Sequence, residues 1–193
     1  MTAPILVLAS ASPRRAAILT ALGIPFRAIT PSVDETLHAG EAGAAAAERL
    51  ARAKAEAVLP QDLPVLAADT LVLCDGAVLG KPATPADAAR MLRTLSGRTH
   101  EVVTGMCLAH GSTARSGVDT TAVTFAPMSD AEIDWYVATG EPLDKAGAYH
   151  VDGRGALFIS AVSGSPSNVA GLPVRLMLRL AREAGVRLGP DRR

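Results

Sequence analysis

Residues Val65-Leu66-Ala67-Ala68-Asp69-Thr70-Leu71-Val72-Leu73 set one carboxylate in a run where nearly every other side chain favours burial. Pro64 to Cys74 reads as one extended segment, and Asp75-Gly76 is a hairpin signal leading into Ala77-Val78-Leu79-Gly80-Lys81-Pro82. An ionised carboxylate inside such a strand is costly unless it meets a cation, hydrogen-bond donors or a metal. The alternative is a break between two short strands with Asp69 in the turn, although Thr70 is β-branched and no glycine or proline supplies that turn. The hairpin offers a partner in either of two registers. A two-residue loop sets Lys81 opposite Thr70, and a three-residue loop from Cys74 to Gly76 sets it opposite Asp69. Pro82 holds Lys81 extended, and a solvated lysine at a strand end is the simpler reading of the same residue.

The chain around this segment alternates strand and helix. Ile5 to Ala9 is an apolar run of strand length, and a helical pattern follows from Pro13. Phe26 to Thr30 reads as a second strand, Pro31 to Thr36 as a polar loop, and Glu41 to Leu59 as an alanine-rich helix stopped by Pro60. Thr84 to Asp87 opens a helix that ends at Ser96-Gly97. Two long β-rich segments, Thr99 to Leu108 and Ala114 to Phe125, meet near Gly111. Ser129 to Glu132 has the spacing of a capping box opening another helix. Beyond it, Asp144 to Gly155 reads as a glycine-rich loop, Ala156 to Val162 as a strand, Asn168 to Ala184 as the final helix, and Gly189 to Arg193 as a frayed tail. Interleaving of this kind predicts an α/β fold with a mixed sheet, the two long central segments marking a second lobe.

Composition narrows the function. With 193 residues, 49% of them hydrophobic, the chain suits one domain over 1–193 with a full core. Nineteen basic and nineteen acidic residues cancel, which argues against a general nucleic-acid binder. No apolar run approaches membrane-spanning length. The N-terminus is apolar only briefly and is followed by arginines, so it does not read as a signal peptide. Cys74 and Cys107 are isolated and suit a reduced, cytoplasmic protein. His38, His100, His110 and His150 lack metal-ligand spacing and read as surface or incidental residues.

Three groups carry chemistry. Ser12 is placed to cap the first helix, with Pro13 at the first helical position, so free N–H groups and the positive end of the helix dipole gather where Arg14 and Arg15 add two guanidinium forks. That arrangement is an anion site, or equally an ordinary capped helix with two solvated arginines. Asp34 and Glu35 lie just past a strand end, where hard oxygens suit Mg²⁺ or Mn²⁺, or where two acids are simply solvated. Lys54 is uninformative alone. An anion site, a buried carboxylate and a metal loop together are the parts of metal-assisted cleavage of a phosphate ester or anhydride.

With these residues in place, the chain resembles the Maf family, small cytoplasmic nucleoside triphosphate pyrophosphatases, nearly from end to end. The resemblance rests on Ala9-Ser10-Ala11-Ser12-Pro13-Arg14-Arg15, Asp34-Glu35, Ala68-Asp69-Thr70, Gly80-Lys81-Pro82, Leu95-Ser96-Gly97-Arg98-Thr99-His100, Asp144-Lys145-Ala146-Gly147-Ala148-Tyr149 and Gly171-Leu172-Pro173. It implies a long mixed β-sheet flanked by helices, two lobes with the active-site cleft between them, and often a homodimer. The implied activity is hydrolysis of a nucleoside triphosphate to the monophosphate and pyrophosphate with a divalent metal. By the same resemblance, Asp69 activates water, Glu35 holds the metal, and Ser10, Arg14, Arg15, Lys54 and Lys81, with Ser12 nearby, bind phosphate. Thr70 fits the dTTP/UTP branch. That branch usually carries Gly-Ile-Gln-Gly after the tyrosine, where this chain has His150-Val151-Asp152-Gly153, so Asp152 bears on the choice of base. Two other functions suit a chain of this family: a non-catalytic nucleotide-binding regulator of septum formation, and a pyrophosphatase for modified purine triphosphates. Asp69, Lys81 and both arginines favour an enzyme, because a binder needs no base.

Overall fold

In the computed structural model, residues 3–188 are described; the predicted frayed tail lies outside them. The fold is α/β. Seven strands form one mixed sheet in the order β2-β1-β3-β5-β6-β7, with β4 paired to β3. In chain order the elements are β1 (Leu6–Ala9), α1 (Pro13–Ala21), β2 (Phe26–Ile29), α2 (Gly43–Glu56), β3 (Val65–Cys74), β4 (Ala77–Leu79), α3 (Pro85–Leu95), β5 (Thr99–His110), β6 (Thr113–Phe125), α4 (Asp130–Ala138), β7 (Ile159–Ser163), α5 (Pro166–Val169) and α6 (Val174–Glu183). Residues 3–69, 104–119 and 171–188 make one compact unit, and Thr70–Val103 with Thr120–Ala170 make a second.

In the first unit β1 runs parallel to both β2 and β3, with Val7 paired to Arg27 on one side and Val65 on the other. All four residues of β1 are buried, as continuous apolar runs in parallel strands require. Alternation sorts the side chains onto two faces. Leu6, Leu8, Leu66, Met106 and Leu108 pack with Leu19 of α1 and Leu176, Met177 and Leu180 of α6. Val7, Ala9, Val65, Ala67 and Cys107 pack with Ala51 and Ala55 of α2. The second face is built from small residues, and it brings α2 close. A Cβ added to Gly105 of β5 would lie 2.2 Å from the Ala47 backbone, well inside contact distance.

The second unit begins with the hairpin. Pairs Val72–Leu79, Leu73–Val78 and Cys74–Ala77 fix the two-residue loop, with Asp75 and Gly76 at φ 49° and 78°, as a tight turn matching strand twist demands. Thr84 caps α3, and the Ser129–Glu132 capping box is formed in full at α4. The core gathers Leu92, Leu95, Phe125, Ile133, Tyr136 and Phe158.

Four local expectations are corrected. The Asp144–Gly155 stretch is not open loop, since Glu141–Asp144, Ala146–Ala148 and Arg154–Phe158 are 3₁₀ turns. The last strand therefore starts at Ile159 rather than Ala156. The single final helix is two, because Gly171 takes φ 94° and Pro173 lacks an N–H, so the ladder cannot continue between α5 and α6. His100 is not at the surface. It lies on the inward side of β5 with Nε2 2.9 Å from Tyr149 Oη, edge-on to Phe125 and Tyr149, and burial lowers it to about 4, so it is neutral at physiological pH.

The close approach at Gly105 gives a test. Gly105→Ala is expected to cost about 3 kcal/mol in urea unfolding, the upper range for overpacking a tight core, because the obstacle is backbone rather than a flexible side chain. An unchanged midpoint would show that α2 can retreat freely.

Candidate active site

The face of β3 that meets α2 carries Val65, Ala67 and then, two residues on, Asp69. The face of α2 that meets β3 carries Ala47, Leu50, Ala51 and then Lys54. Each apolar face carries one charge, so packing the two elements drives the charges together. Lys54 Nζ donates to Asp69 Oδ1 at 2.5 Å, with only 8% of Lys54 and 6% of Asp69 exposed. The same ammonium lies 2.7 Å from Oε1 of Glu35, which is mostly exposed. One lysine therefore bridges a buried and a solvated carboxylate. Neither hairpin register supplied this cation: Asp69 finds its partner on the helix, not in Lys81.

Arg49, five residues before Lys54 on α2, fixes the loop that presents Glu35. Its guanidinium donates to both oxygens of Glu41, at 2.8 and 2.7 Å, and to the Thr36 carbonyl at 3.1 Å. That fork holds the Glu41 carboxyl down at about 2. Asp34 turns back into its own loop, accepting from the N–H and hydroxyl of Thr36.

The second group lies where β1 passes into α1. Ser12 occupies the cap position, but its hydroxyl makes no capping bond; its N–H instead donates to Ser10 Oγ at 3.1 Å. Arg15 Nη1 donates to the same oxygen at 3.0 Å, while its Nε ties to the Gly171 carbonyl at 2.8 Å. Burial lowers the Arg15 guanidinium to about 10, opposed by the fields of Asp69 and Glu35, so it stays charged at neutral pH. Ala9 pairs with Ala67 across parallel β1 and β3, so Ser10 and Asp69, just beyond that pair, lie in one neighbourhood of the first unit. Arg14 is half-buried beside them. The uncapped first turn of α1, Ser10 and two guanidinium groups form a cradle for an anion.

The other named residues lie in the second unit. Thr70 follows Asp69 on the opposite face of β3 and is half-buried. The hairpin register, continued past the end of β4, sets Lys81 across from Thr70, and Lys81 is exposed. Asp152 is exposed at the tip of the turn that Gly153 N–H closes on the His150 carbonyl at 3.2 Å.

The donor set fits a hard divalent cation shared with a ligand rather than caged by protein. Glu35 and Asp69 offer carboxylate oxygens within reach of one ammonium, whereas no group of three metal-ligating side chains occurs among the described residues. Mg²⁺ characteristically takes one or two carboxylates and completes its shell from phosphate and water.

Residues 5–184 match the family model for Maf-like proteins. The chain belongs to the Maf family. It is 51% identical over 185 residues to a protein of Anaeromyxobacter sp. (strain Fw109-5) named dTTP/UTP pyrophosphatase, covering 93% of this chain and 89% of that one. A Moorella thermoacetica protein of the same name is 53% identical over 173 residues, covering 88% and 89%. Another, from Salmonella typhimurium, is 48% identical over 172 residues, covering 88% and 87%. Within this Maf chain, one residue of the site's framework, Arg49, and one pairing, Lys54 with Asp69, escaped the sequence reading. Arg49 was legible as the basic residue five before Lys54 on the same helix, able to reach the acidic loop. The Lys54–Asp69 pair was legible by following each apolar periodicity onto the one charge it contains.

A buried pair of this kind is costly to break on one side. Lys54→Met strands the Asp69 carboxylate and is expected to lower unfolding free energy by about 3–5 kcal/mol, measured with urea. Asp69→Asn keeps an acceptor for Lys54 and leaves Glu35 as its counter-ion, so it is expected to cost less. Equal costs would mean that Glu35 and the amide oxygen do not compensate the ammonium for the loss of the Asp69 charge.

Proposed function

We infer that this chain is a metal-dependent nucleoside triphosphate pyrophosphatase acting on dTTP and UTP, releasing the monophosphate and pyrophosphate. The observation that carries the reading is Lys54 bridging buried Asp69 and solvated Glu35 beside the Ser10–Arg15 cradle. Relatives about half identical over nearly the whole chain are named dTTP/UTP pyrophosphatases, which supports the same substrates. Free thiols at Cys74 and Cys107, both buried, agree with a cytoplasmic setting, and no helix among the described residues is long and apolar enough to cross a membrane.

Each group has a part in that chemistry. Ser10, Ser12, Arg14 and Arg15 bind the phosphate oxygens, where the dipole of α1 and the two guanidinium groups favour negative charge. Asp69 accepts a proton from the water that attacks the α-phosphorus, and Lys54 orients that carboxylate. The bond from the α-phosphorus to its bridging oxygen breaks, and pyrophosphate leaves. Glu35 would hold Mg²⁺ or Mn²⁺, and the Asp69 carboxylate would offer it a second hard oxygen donor. A bound cation of this type neutralises charge on the triphosphate oxygens. Lys81 adds a further cation for phosphate. Thr70 contributes one hydroxyl, which can donate or accept.

Asp152 reads the base. An ionised carboxylate can only accept, so it suits the ring N–H of uracil or thymine and the exocyclic amine of cytosine, and it opposes the carbonyls. CTP is therefore discriminated less strongly than it would be by a glutamine, which offers both donor and acceptor.

The decisive experiment is pyrophosphate release from a panel of UTP, dTTP, CTP and GTP with and without Mg²⁺ or Mn²⁺. UTP and dTTP are expected to be cleaved only with metal, and chelation to abolish turnover. Asp69→Asn is expected to fold and to lose roughly 10²–10⁴-fold in kcat, the range for a positioned base. A folded wild type that binds triphosphates without cleaving them would make this chain a binder instead. Asp152→Gln is expected to raise the UTP-to-CTP ratio of kcat/KM by roughly 5- to 150-fold, the worth of one hydrogen bond regained. An unchanged ratio would remove Asp152 from base reading.

A further inference from the structure

A second carboxylate in this protein is surrounded by donors, and the chemistry above does not use it. Glu141 follows α4 and stands half-buried within the second unit. Its Oε1 accepts from the Tyr136 hydroxyl at 2.8 Å and from the Gly155 N–H at 3.1 Å, and its Oε2 accepts from the Arg154 N–H at 3.2 Å. The buried Tyr136 hydroxyl in turn accepts the His150 N–H at 3.0 Å. A tyrosine and a glutamate thus hold the 150–155 turn at its first residue and at its last two. Lys145 Nζ, donating to the Glu141 carbonyl at 3.1 Å, ties the Asp144–Tyr149 stretch to the same residue.

The glycines of the turn are matched to this arrangement. A Cβ at Gly153 would lie 2.7 Å from both carboxylate oxygens of Glu141, and one at Gly155 would lie 2.7 Å from the Tyr136 hydroxyl and the His150 carbonyl. The backbone is therefore drawn against the Glu141 carboxylate at Gly153 and against the Tyr136 hydroxyl at Gly155, while Asp152 at the tip remains exposed. Burial works to raise the Glu141 carboxyl, but the bonds from Tyr136, Arg154 and Gly155 outweigh it and leave it below its ordinary value. It is an acceptor throughout the neutral range, as three donors require.

We propose that Glu141, with Tyr136 as its bridge, is a positioning residue for nucleobase selection: it fixes the 150–155 turn so that Asp152 meets one base edge in one geometry. This rests on the reading that Asp152 faces the base. A single hydrogen bond discriminates between bases only while its donor and acceptor are held within a fraction of an ångström, and the turn has no regular secondary structure of its own at Val151 and Asp152 to do so. The carboxylate is a local substitute for a strand ladder.

The test compares Glu141→Gln and Tyr136→Phe with wild type and Asp152→Gln, all in the full chain with Mg²⁺. Glutamine replaces one acceptor oxygen with a donor, and phenylalanine removes the hydroxyl that serves both His150 and Glu141. Three quantities are read: kcat/KM for UTP, dTTP, CTP and GTP; inhibition by inorganic tripolyphosphate, which has no base; and amide hydrogen exchange at Arg154 and Gly155. Both clamp variants are expected to shift the UTP-to-CTP ratio about fivefold or more. Their tripolyphosphate inhibition constant should stay within about twofold of wild type, and the two amides should exchange about tenfold faster. If Asp152→Gln moves the ratio while neither clamp variant does, the proposal is overturned, since the turn then reads the base without the clamp. A parallel loss toward all four nucleotides and tripolyphosphate also overturns it, because the role is then general stability. A wild type that cleaves none of the triphosphates, or an Asp152→Gln variant with an unaltered ratio, overturns the reading beneath it, and the selection role falls with that reading even where the amides exchange faster.

Discussion

The Lys54–Asp69 contact is the interaction on which the first unit depends, and its energetics explain the composition around it. Two opposite charges can be enclosed only if each finds the other at bonding distance and the solvent they lose is replaced. Here Lys54 meets both Asp69 and Glu35, and the close approach that allows it is built from small residues. Ala46, Ala47, Ala51 and Ala55 line the inner side of α2, Ala9 and Ala67 line the sheet beneath it, and Gly105 lets the two backbones approach. With larger side chains in this layer, the lysine would sit too far from the strand to meet Asp69. The alanine-rich character of the helix is thus a distance constraint as much as a propensity.

The same economy of anchoring appears in the segments without regular structure. The loop carrying Glu35 is held by Arg49 gripping Glu41 and the Thr36 carbonyl, and the 150–155 turn is held by Tyr136 and Glu141. At the start of α1, Arg15 spans from Ser10 to the Gly171 carbonyl, tying the β1–α1 turn to the chain before α6. In each case a partly covered ion satisfies backbone groups that a loop would otherwise leave to water. Glu35 and Asp152 themselves remain exposed while their neighbours do the holding.

Arg15 shows how this divides roles within one motif. Two adjacent arginines look equivalent in sequence, yet one has its Nε and Nη1 committed to protein oxygens, and burial has lowered its guanidinium toward 10. Arg14 shows no such tether among the bonds of the cradle. The pair therefore supplies one charge tied into the protein and one without such a tether among the described residues.

Local chemistry determined most of the architecture. The proline at the first turn of α1, the Asp75-Gly76 turn, the Thr84 cap and the Ser129–Glu132 capping box each act over a few residues, so their outcomes could be read directly. The carboxylate in an apolar strand was equally plain, as was its need for a partner. Tertiary structure alone decided which partner. Hairpin logic pointed toward Lys81 because a turn constrains only its own two strands, whereas the cation arrived from a helix 15 residues upstream. His100 reads as incidental by spacing, and only the packing of Phe125 and Tyr149 made it a buried neutral base. The break between α5 and α6 was signalled by Gly171 and Pro173 but outweighed by the apolar periodicity on either side. The Glu141 clamp left no signal at all, since its donors are backbone N–H groups, which every sequence possesses and only a folded chain can aim.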